Sequence, residues 1–275
     1  MKISALAGAG ILTTALTAHA QLQEQGLPLW EVGVLAGAVS TPAYPASTER
    51  AFRAMALPFL FYRGEVLRAD RSNVGARLAH SPDYEFDVGF AASLPSNSSD
   101  IAVRSGMSDL GTLIEFGPRL KVALARPTPG SVVRLELPVR TVLEFNDGVH
   151  GQGASFEPEL SVETTDLVAG WRVTASGSLV LGNRQLSNYF YGVSPSFATT
   201  TRPAYDAQAG LLATRIGLIA SKDQTRSLRV FGFVRYESYA DSANRASPLF
   251  LQSQGTSAGI GLTWTLAYSE RSAVN

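Results

Sequence analysis

Cysteine is absent from all 275 positions. That absence excludes disulfides, thiol nucleophiles and cysteine-based metal sites. It also excludes a lipoprotein, whose lipid is carried on a cysteine at the mature N-terminus. Lysine is nearly absent as well: three of the 23 basic residues are Lys and the rest are Arg. Arg suits fixed, hydrogen-bonded charge better than a solvated surface. Neither sign of charge dominates, with 23 acidic residues against 23 basic, so no global basic field awaits nucleic acid. Long apolar runs are missing too. The uncharged stretch at residues 32–48 holds Pro42 and Pro45 and is rich in Gly, Ser and Thr, and the longer one at 246–269 holds Pro248 and is broken up by Gly, Ser, Thr and Gln. A spanning helix needs about 20 mostly apolar residues, so a chain like this enters a membrane only as strands.

The first twenty residues, MKISALAGAGILTTALTAHA, stand apart. Lys2 supplies a short basic start, residues 3–18 are apolar or uncharged, and Ala18-His19-Ala20 has the small-x-small form read by signal peptidase. Residues 1–20 are therefore expected to be a cleaved signal peptide of an exported bacterial envelope protein. Residues 21–275 form the mature domain.

What the mature chain has in abundance is period-two alternation. In SVVRLELPVRTVLEF, residues 131–145, Val133, Leu135, Leu137, Val139 and Leu143 share one face, with Arg134, Glu136, Arg140 and Glu144 on the other. Similar runs set Tyr84, Phe86, Val88 and Phe90 against Glu85 and Asp87, and Ile114, Phe116, Leu120 and Val122 against Glu115, Arg119 and Lys121. Phe156, Pro158, Leu160 and Val162 oppose Glu157, Glu159 and Ser161. Residues 171–181 and 260–268 behave alike, and weaker alternation marks segments near residues 30–38, 53–62, 65–69, 74–79, 205–220 and 228–239. The count is about twelve strands, with ten or fourteen as neighbours.

Several runs exceed the usual 5–6 residues of a soluble strand and match the 9–11 tilted residues that cross a bilayer. Long and short connections alternate along the chain, with the Asp70–Asn73 turn as the exception. The fold class expected is an all-β, antiparallel up-and-down transmembrane barrel with short periplasmic turns and long outer loops. Trp30, Tyr62, Tyr84, Phe145, Phe156, Trp171, Tyr236 and Tyr268 sit near strand ends and suggest an interfacial girdle.

Sites of chemistry are sparse. The mature chain has two histidines, His80 in the turn HSPD and His150 in NDGVHGQ. A barrel hydrolase needs a His activating a Ser, but His80 and Ser81 are adjacent, which points their side chains to opposite faces of a strand. No catalytic, cofactor-binding or metal residue is assigned. Glu157, Glu159 and Glu163 share a face without His or Cys, and basic partners across the lumen explain them better than calcium. On the polar faces of the clearest strands, Glu85, Asp87, Glu115, Glu136, Glu157, Glu159, Glu163 and Glu237 oppose Arg119, Lys121, Arg134, Arg140, Arg172, Arg229 and Arg235. Mixed charge predicts a narrow or plugged lumen laced by ion pairs, since selective pores expose rings of one sign.

Three segments resemble the MipA/OmpV outer-membrane proteins. These are PAYPASTERAFRAMALPFLFYRGEVLRADR at 42–71, FDVGFAASLPSNSSDIAVRSGMSDLGTLIEFGP at 86–118 and LGNRQLSNYFYGVSPSFATTTRPAYDAQAG at 181–210. The second carries Asp109-Leu110-Gly111. The third carries Asn188-Tyr189-Phe190-Tyr191-Gly192-Val193 and Pro203-Ala204-Tyr205. The resemblance implies an outer-membrane barrel without catalytic activity or cofactor. For the family's namesake it implies a scaffold linking an MltA-type peptidoglycan lytic transglycosylase to a bifunctional peptidoglycan synthase. Osmotic or antibiotic response and adhesion are associated with other members, and a passive small-solute channel is the alternative. The 182–203 segment falls in the longest outer loop, away from periplasmic partners, and its Tyr, Phe and Pro content predicts that it caps the barrel. Periplasmic docking would then use turns such as Arg126–Ser131 and Ser221–Arg226, or the tails Gln21–Leu29 and Ser269–Asn275.

Overall fold

The structure, a computed structural model, describes residues 27–69, 74–93, 95–165 and 169–273. The expected signal peptide, most of the Gln21–Leu29 tail and the Asp70–Asn73 turn lie outside the described residues. Thirteen strand segments run in order: β1 (Trp30–Pro42), β2 (Arg50–Arg63), β3 (Leu67–Ala69), β4 (Val74–His80), β5 (Tyr84–Ser93), β6 (Thr112–Ala125), β7 (Ser131–Phe145), β8 (Val149–Phe156), β9 (Glu159–Thr164), β10 (Arg172–Gly182), β11 (Gly210–Asp223), β12 (Leu228–Ser238) and β13 (Gln254–Tyr268). Each is antiparallel to its neighbours, and β13 pairs with β1, closing the sheet into a barrel. β8 and β9 both lie between β7 and β10 and form the two halves of one strand. The break falls at Glu157-Pro158, where proline brings no N–H to the ladder. Twelve strands therefore surround the lumen, as the alternation predicts.

The sense of the alternation, which the sequence left open, is that of a membrane protein. Leu60, Ile216, Ile260, Trp264 and Leu266 stand on the outside and are 55–73% exposed. Asp87, Arg119, Glu144 and Glu237 are buried within. A soluble barrel reverses this order. Trp30, Tyr62, Tyr84 and Tyr268 lie near one rim, and Phe145 and Tyr236 near the other, as an aromatic girdle requires. Phe156 departs from that expectation. It pairs with Val139 at the middle of β7, so it sits at mid-height in the wall.

Residues 64–66, 81–83, 126–130 and 224–227 are short turns at one end. A bridge between Pro28 and Ser272 joins the segments before β1 and after β13 at that end. The other end carries the segments 94–111, 183–209 and 239–253. This asymmetry assigns the short turns to the periplasm and the long loops to the outer side. One expected connection shrinks. Of NDGVHGQ only residues 146–148 turn the chain, because Val149–Gly151 already pair with β7 and Gln152 forms a bulge within β8.

The long loops fold into a cap. Residues Arg184–Tyr191 form the helix α1, whose N-cap Asn183 accepts a hydrogen bond from the Leu186 N–H at 3.0 Å. Such a cap satisfies a donor that the first helical turn cannot. Leu186 and Tyr191 pack onto Leu113, Val142 and Leu212 from the barrel's outer rim. Beside them Tyr44, Ile101, Leu110, Val193 and Leu249 make a second buried cluster from four different loops. Cross-loop hydrogen bonds fix the arrangement: Tyr44 Oη donates to Leu249 O at 2.7 Å, and Ser247 Oγ donates to Tyr191 O at 2.7 Å. The 182–203 segment thus folds back over the barrel, as its composition predicts.

Candidate functional site: the capped vestibule and charged lumen

Between the 94–111 and 183–209 loops lies a cleft of about 730 Å³, open to the outer side. Tyr189, Tyr205 and Phe197 contribute rings, Asn188 and Gln152 contribute amides, and Asp109, Glu144 and Asp206 contribute carboxylates. The carboxylates are already occupied. Glu144 accepts from Tyr189 Oη at 2.9 Å, from the Gly111 N–H at 2.7 Å and from Gln152 Nε2 at 2.7 Å. Asp109 accepts the Ser98 N–H at 2.6 Å, and Asp206 pairs with Arg184 and Asn188. Burial, followed by the hydrogen bond to Glu144, pushes the Tyr189 hydroxyl well above the usual tyrosine range. Its proton is therefore fixed on the phenol, which donates. Arg104, buried under the cleft, lies 5.7 Å from the centre of the Tyr44 ring, and burial draws its guanidinium down from the usual value. These groups build the vestibule floor and leave its rings for contact.

Below the cap the lumen is laced by ion pairs, as its mixed charge predicts. On β5–β7, Arg119 grips Asp87 through two bonds of 2.9 and 2.7 Å, and Lys121 bridges Glu85 at 2.8 Å and Asp87 at 3.1 Å. Arg119 also lies 3.5 Å from Glu136. On the opposite arc, Arg215 joins Glu157 at 2.7 Å to Glu237 at 2.6 Å, and Tyr239 Oη donates to the other oxygen of Glu237 at 3.0 Å. Arg140 continues the chain, 3.6 Å from Glu157 and 3.9 Å from Glu115. Near the periplasmic rim Arg63 holds Glu31 at 2.6 Å. Charge-assisted bonds of this kind are the strong ones, and in series they brace the barrel from within.

The two histidines never meet. His80 is exposed at the periplasmic end of β4, as the last residue of the strand, whereas His150 stands opposite Glu144 at the outer rim. The three carboxylates of GASFEPELSVE also separate. Glu157 binds Arg215, Glu163 lies between Arg134 at 3.6 Å and Arg172 at 3.5 Å, and Glu159 faces Glu136 directly in register. Among the described residues, no group of three or more His, Asp or Glu side chains converges as metal ligands.

Sequence reasoning missed Arg215, Arg63 and Glu31 as lumen residues. Their signal was present in the period-two spacing of Arg215, Gly217 and Ile219, and of Glu31 and Gly33, but Gly and apolar neighbours on the inner face masked it. The reason is that part of the lumen wall is itself apolar. Gly33, Gly37, Gly259 and Gly261 occupy inner positions of β1 and β13, and aromatic rings from β2 and β12 lie against three of them.

A family profile described as MltA-interacting protein MipA matches residues 33–266. No curated protein sequence matches the chain. Several solved structures are similar at low identity. The translocator domain of the autotransporter NalP from Neisseria meningitidis is 12% identical, with a TM-score of 0.43, covering 94% of this chain and 99% of that one. The NanC porin is 8% identical, with a TM-score of 0.38, covering 86% and 100%. Outer membrane phospholipase A from Escherichia coli is 9% identical, with a TM-score of 0.32, covering 85% and 92%.

Proposed function

The chain belongs to the MipA family of MltA-interacting proteins, and we propose that it acts as a non-enzymatic outer-membrane scaffold for cell-wall maintenance. Residues 1–20 serve as the leader removed on export. The family profile over residues 33–266 is the single observation that carries this reading. The partner is then a peptidoglycan lytic transglycosylase of the MltA type, and through it a peptidoglycan synthase. Both act in the periplasm, so docking falls to the short-turn face. Arg126, bound to Asp83 at 2.9 Å, presents two neighbouring turns as one surface, and the tail segment 269–273 runs beside residues 27–29 at the same rim. A standard stable interface buries about 1,600 Å² in total, which requires several of these turns together.

A passive channel is the competing function. The packed cap and the paired lumen favour the scaffold, because both place side chains where a solute must pass. The test is a pull-down from detergent-solubilised outer membranes with the tagged mature barrel. Recovery of a lytic transglycosylase, lost when the 81–83 and 126–130 turns are replaced, supports the scaffold. Failure to recover it from a folded barrel, together with steady single-channel openings in planar bilayers, gives the function to the channel.

A further inference from the structure

The two walls of the outer cleft are fixed to one another. Arg202, from the 183–209 loop, donates through Nη1 to Val103 O at 2.6 Å and Ser105 O at 3.0 Å on the 94–111 loop, while its Nη2 donates to Phe197 O at 2.8 Å. Arg104 reaches the other way, to Phe190 O at 3.4 Å, and Val193 and Tyr205 pair as a bridge within the second wall. Both arginines are buried. A cleft of about 730 Å³ held in this manner is preformed and has the size of a small-molecule site. It opens away from the periplasmic turns, so it is independent of the scaffold reading.

Its hydrogen-bonding capacity is one-sided. The ring and amide donors that line it are directed into the protein: Tyr189 Oη and Gln152 Nε2 to Glu144, Asn188 Nδ2 to Asp206, and Tyr205 Oη to Asn244 Oδ1 at 3.3 Å. The acceptors keep room, since a carboxylate offers about four lone-pair sites. Asp109 Oδ1 takes the Ser98 N–H, and no hydrogen bond reaches its Oδ2 among the described residues. Glu144 Oε2 takes only Gln152. A ligand that completes this lining must bring donors.

Charge is one-sided too. Glu144 is 7% exposed, yet its partners are a phenol, an amide and a backbone N–H, all neutral. Asp109 holds a backbone N–H. Neither forms an ion pair among the described residues, whereas Asp87, Glu157 and Glu237 in the lumen each hold an Arg. Asp206, paired with Arg184, is the third carboxylate, and Arg104 is the one cation on the lining. A cation arriving from outside gains charge-assisted bonds. A bare metal ion does not fit, because no three His, Asp or Glu side chains converge among the described residues. The rings of Tyr189, Tyr205 and Phe197 line the same space, and ring faces attract ammonium groups. We propose that the outer cleft binds a small organic ammonium ion, its N–H groups donating to Glu144 and Asp109 and its carbon skeleton lying against the rings of Tyr205 and Phe197.

The test uses the full mature barrel in detergent and three probes of like shape: 2-phenylethylammonium, 2-phenylethanol and 3-phenylpropanoate. Isothermal titration is corrected by a blank titration into the same micelles. The expected result is ammonium binding at least tenfold tighter than that of the alcohol, weakening as salt is raised, with no binding of the carboxylate. Asp109→Asn and Phe197→Leu are each expected to weaken it several-fold, and the double variant Asp109→Asn, Glu144→Gln to abolish it. Equal affinity for ammonium and alcohol means an apolar contact only and overturns the proposal. Preference for the carboxylate, which assigns the cleft to Arg104, overturns it as well. So does absence of ammonium binding, or binding undiminished in Asp109→Asn and Phe197→Leu. Heat-modifiable migration in gels establishes that each variant is folded. The three-probe comparison uses the unaltered protein, so it decides the matter even where Glu144→Gln loosens the cap through Tyr189.

Discussion

Arg215 on β11 reaches across β10 to Glu157, the residue at which β8 breaks into β9, with 2.7 Å between Nη1 and Oε1. The same guanidinium holds Glu237 on β12 at 2.6 Å, so one side chain ties the neighbouring strand β12 to the β8–β9 strand beyond β10. Breaking a buried pair by removing one partner costs about 3–5 kcal/mol, because the other charge is left uncompensated. Arg215→Met takes the nearest cation from two carboxylates at once, leaving Glu157 to Arg140 and Ser178 and Glu237 to Tyr239 and Arg235. With those partners remaining and Arg215 partly exposed, it is expected to lower unfolding free energy by no more than that range, measured by urea titration of the barrel in detergent. The triple variant Glu157→Gln, Arg215→Met, Glu237→Gln is expected to recover much of the loss. Equal instability of both variants would show that shape, not charge, is what Arg215 contributes.

Glu159 stands opposite Glu136 in the β7–β9 register and has no ion pair among the described residues. Like charges directly opposite in a sheet are destabilising, typically by about 0.2–1 kcal/mol. Glu159→Gln should therefore raise the unfolding midpoint slightly, and Glu136→Gln should gain less because Glu136 also faces Arg119. A drop in stability for Glu159→Gln would expose a counter-ion held at this position.

The cap should be alkali-sensitive. Burial raises the hydroxyls of Tyr44, Tyr189 and Tyr191 above the ordinary tyrosine value, and Tyr189 is raised further by its bond to Glu144. The folded cap holds these protons more tightly than an unfolded one. Their contribution is therefore complete below about pH 10, the unperturbed value, and declines as pH rises beyond it. Tyrosinate absorbance should lag behind that of free tyrosine on alkaline titration. Proteolysis within 183–209 should begin where absorbance rises, and Tyr189→Phe should shift that onset upward. Cleavage independent of pH would refute the coupling.

Gly182 and Gly210 pair in register at the rim, so a short turn can replace residues 183–209 without disturbing β10 or β11. In planar bilayers the intact protein is expected to give small or flickering currents, and the shortened one larger, steadier openings. Large openings from the intact protein would remove the cap as the obstruction.

Much of this architecture is legible in the residues. β7, β5, β6 and the β8–β9 strand declare themselves by alternation, and their charged faces meet in the lumen as expected. The cap was legible from the Tyr-rich 182–203 segment. Two features were not. The sense of the faces depends on the solvent outside, which a periodic pattern does not encode. The apolar lumen wall was hidden because β2, RAMALPFLFYR in its core, is hydrophobic on both faces, so no alternation distinguishes Met55, Leu57 and Phe59 from Leu60. The turn at 146–148 was overestimated because Gly151 and Gly153 read as loop, yet both pair with β7.

The first and last strands share the seam of the cylinder, with Glu31 opposite Tyr268 and Thr265 Oγ1 donating to Glu31 at 3.0 Å. Among the described residues, no other pair of strands joins positions so distant along the chain. Contacts of such large sequence separation bear the greatest loop-closure entropy and form slowly. The seam also cannot zip until β13 has been delivered. Insertion must therefore proceed with hairpins already paired and an open edge on β1 held in waiting, which makes the final fifteen-residue strand the latch of assembly.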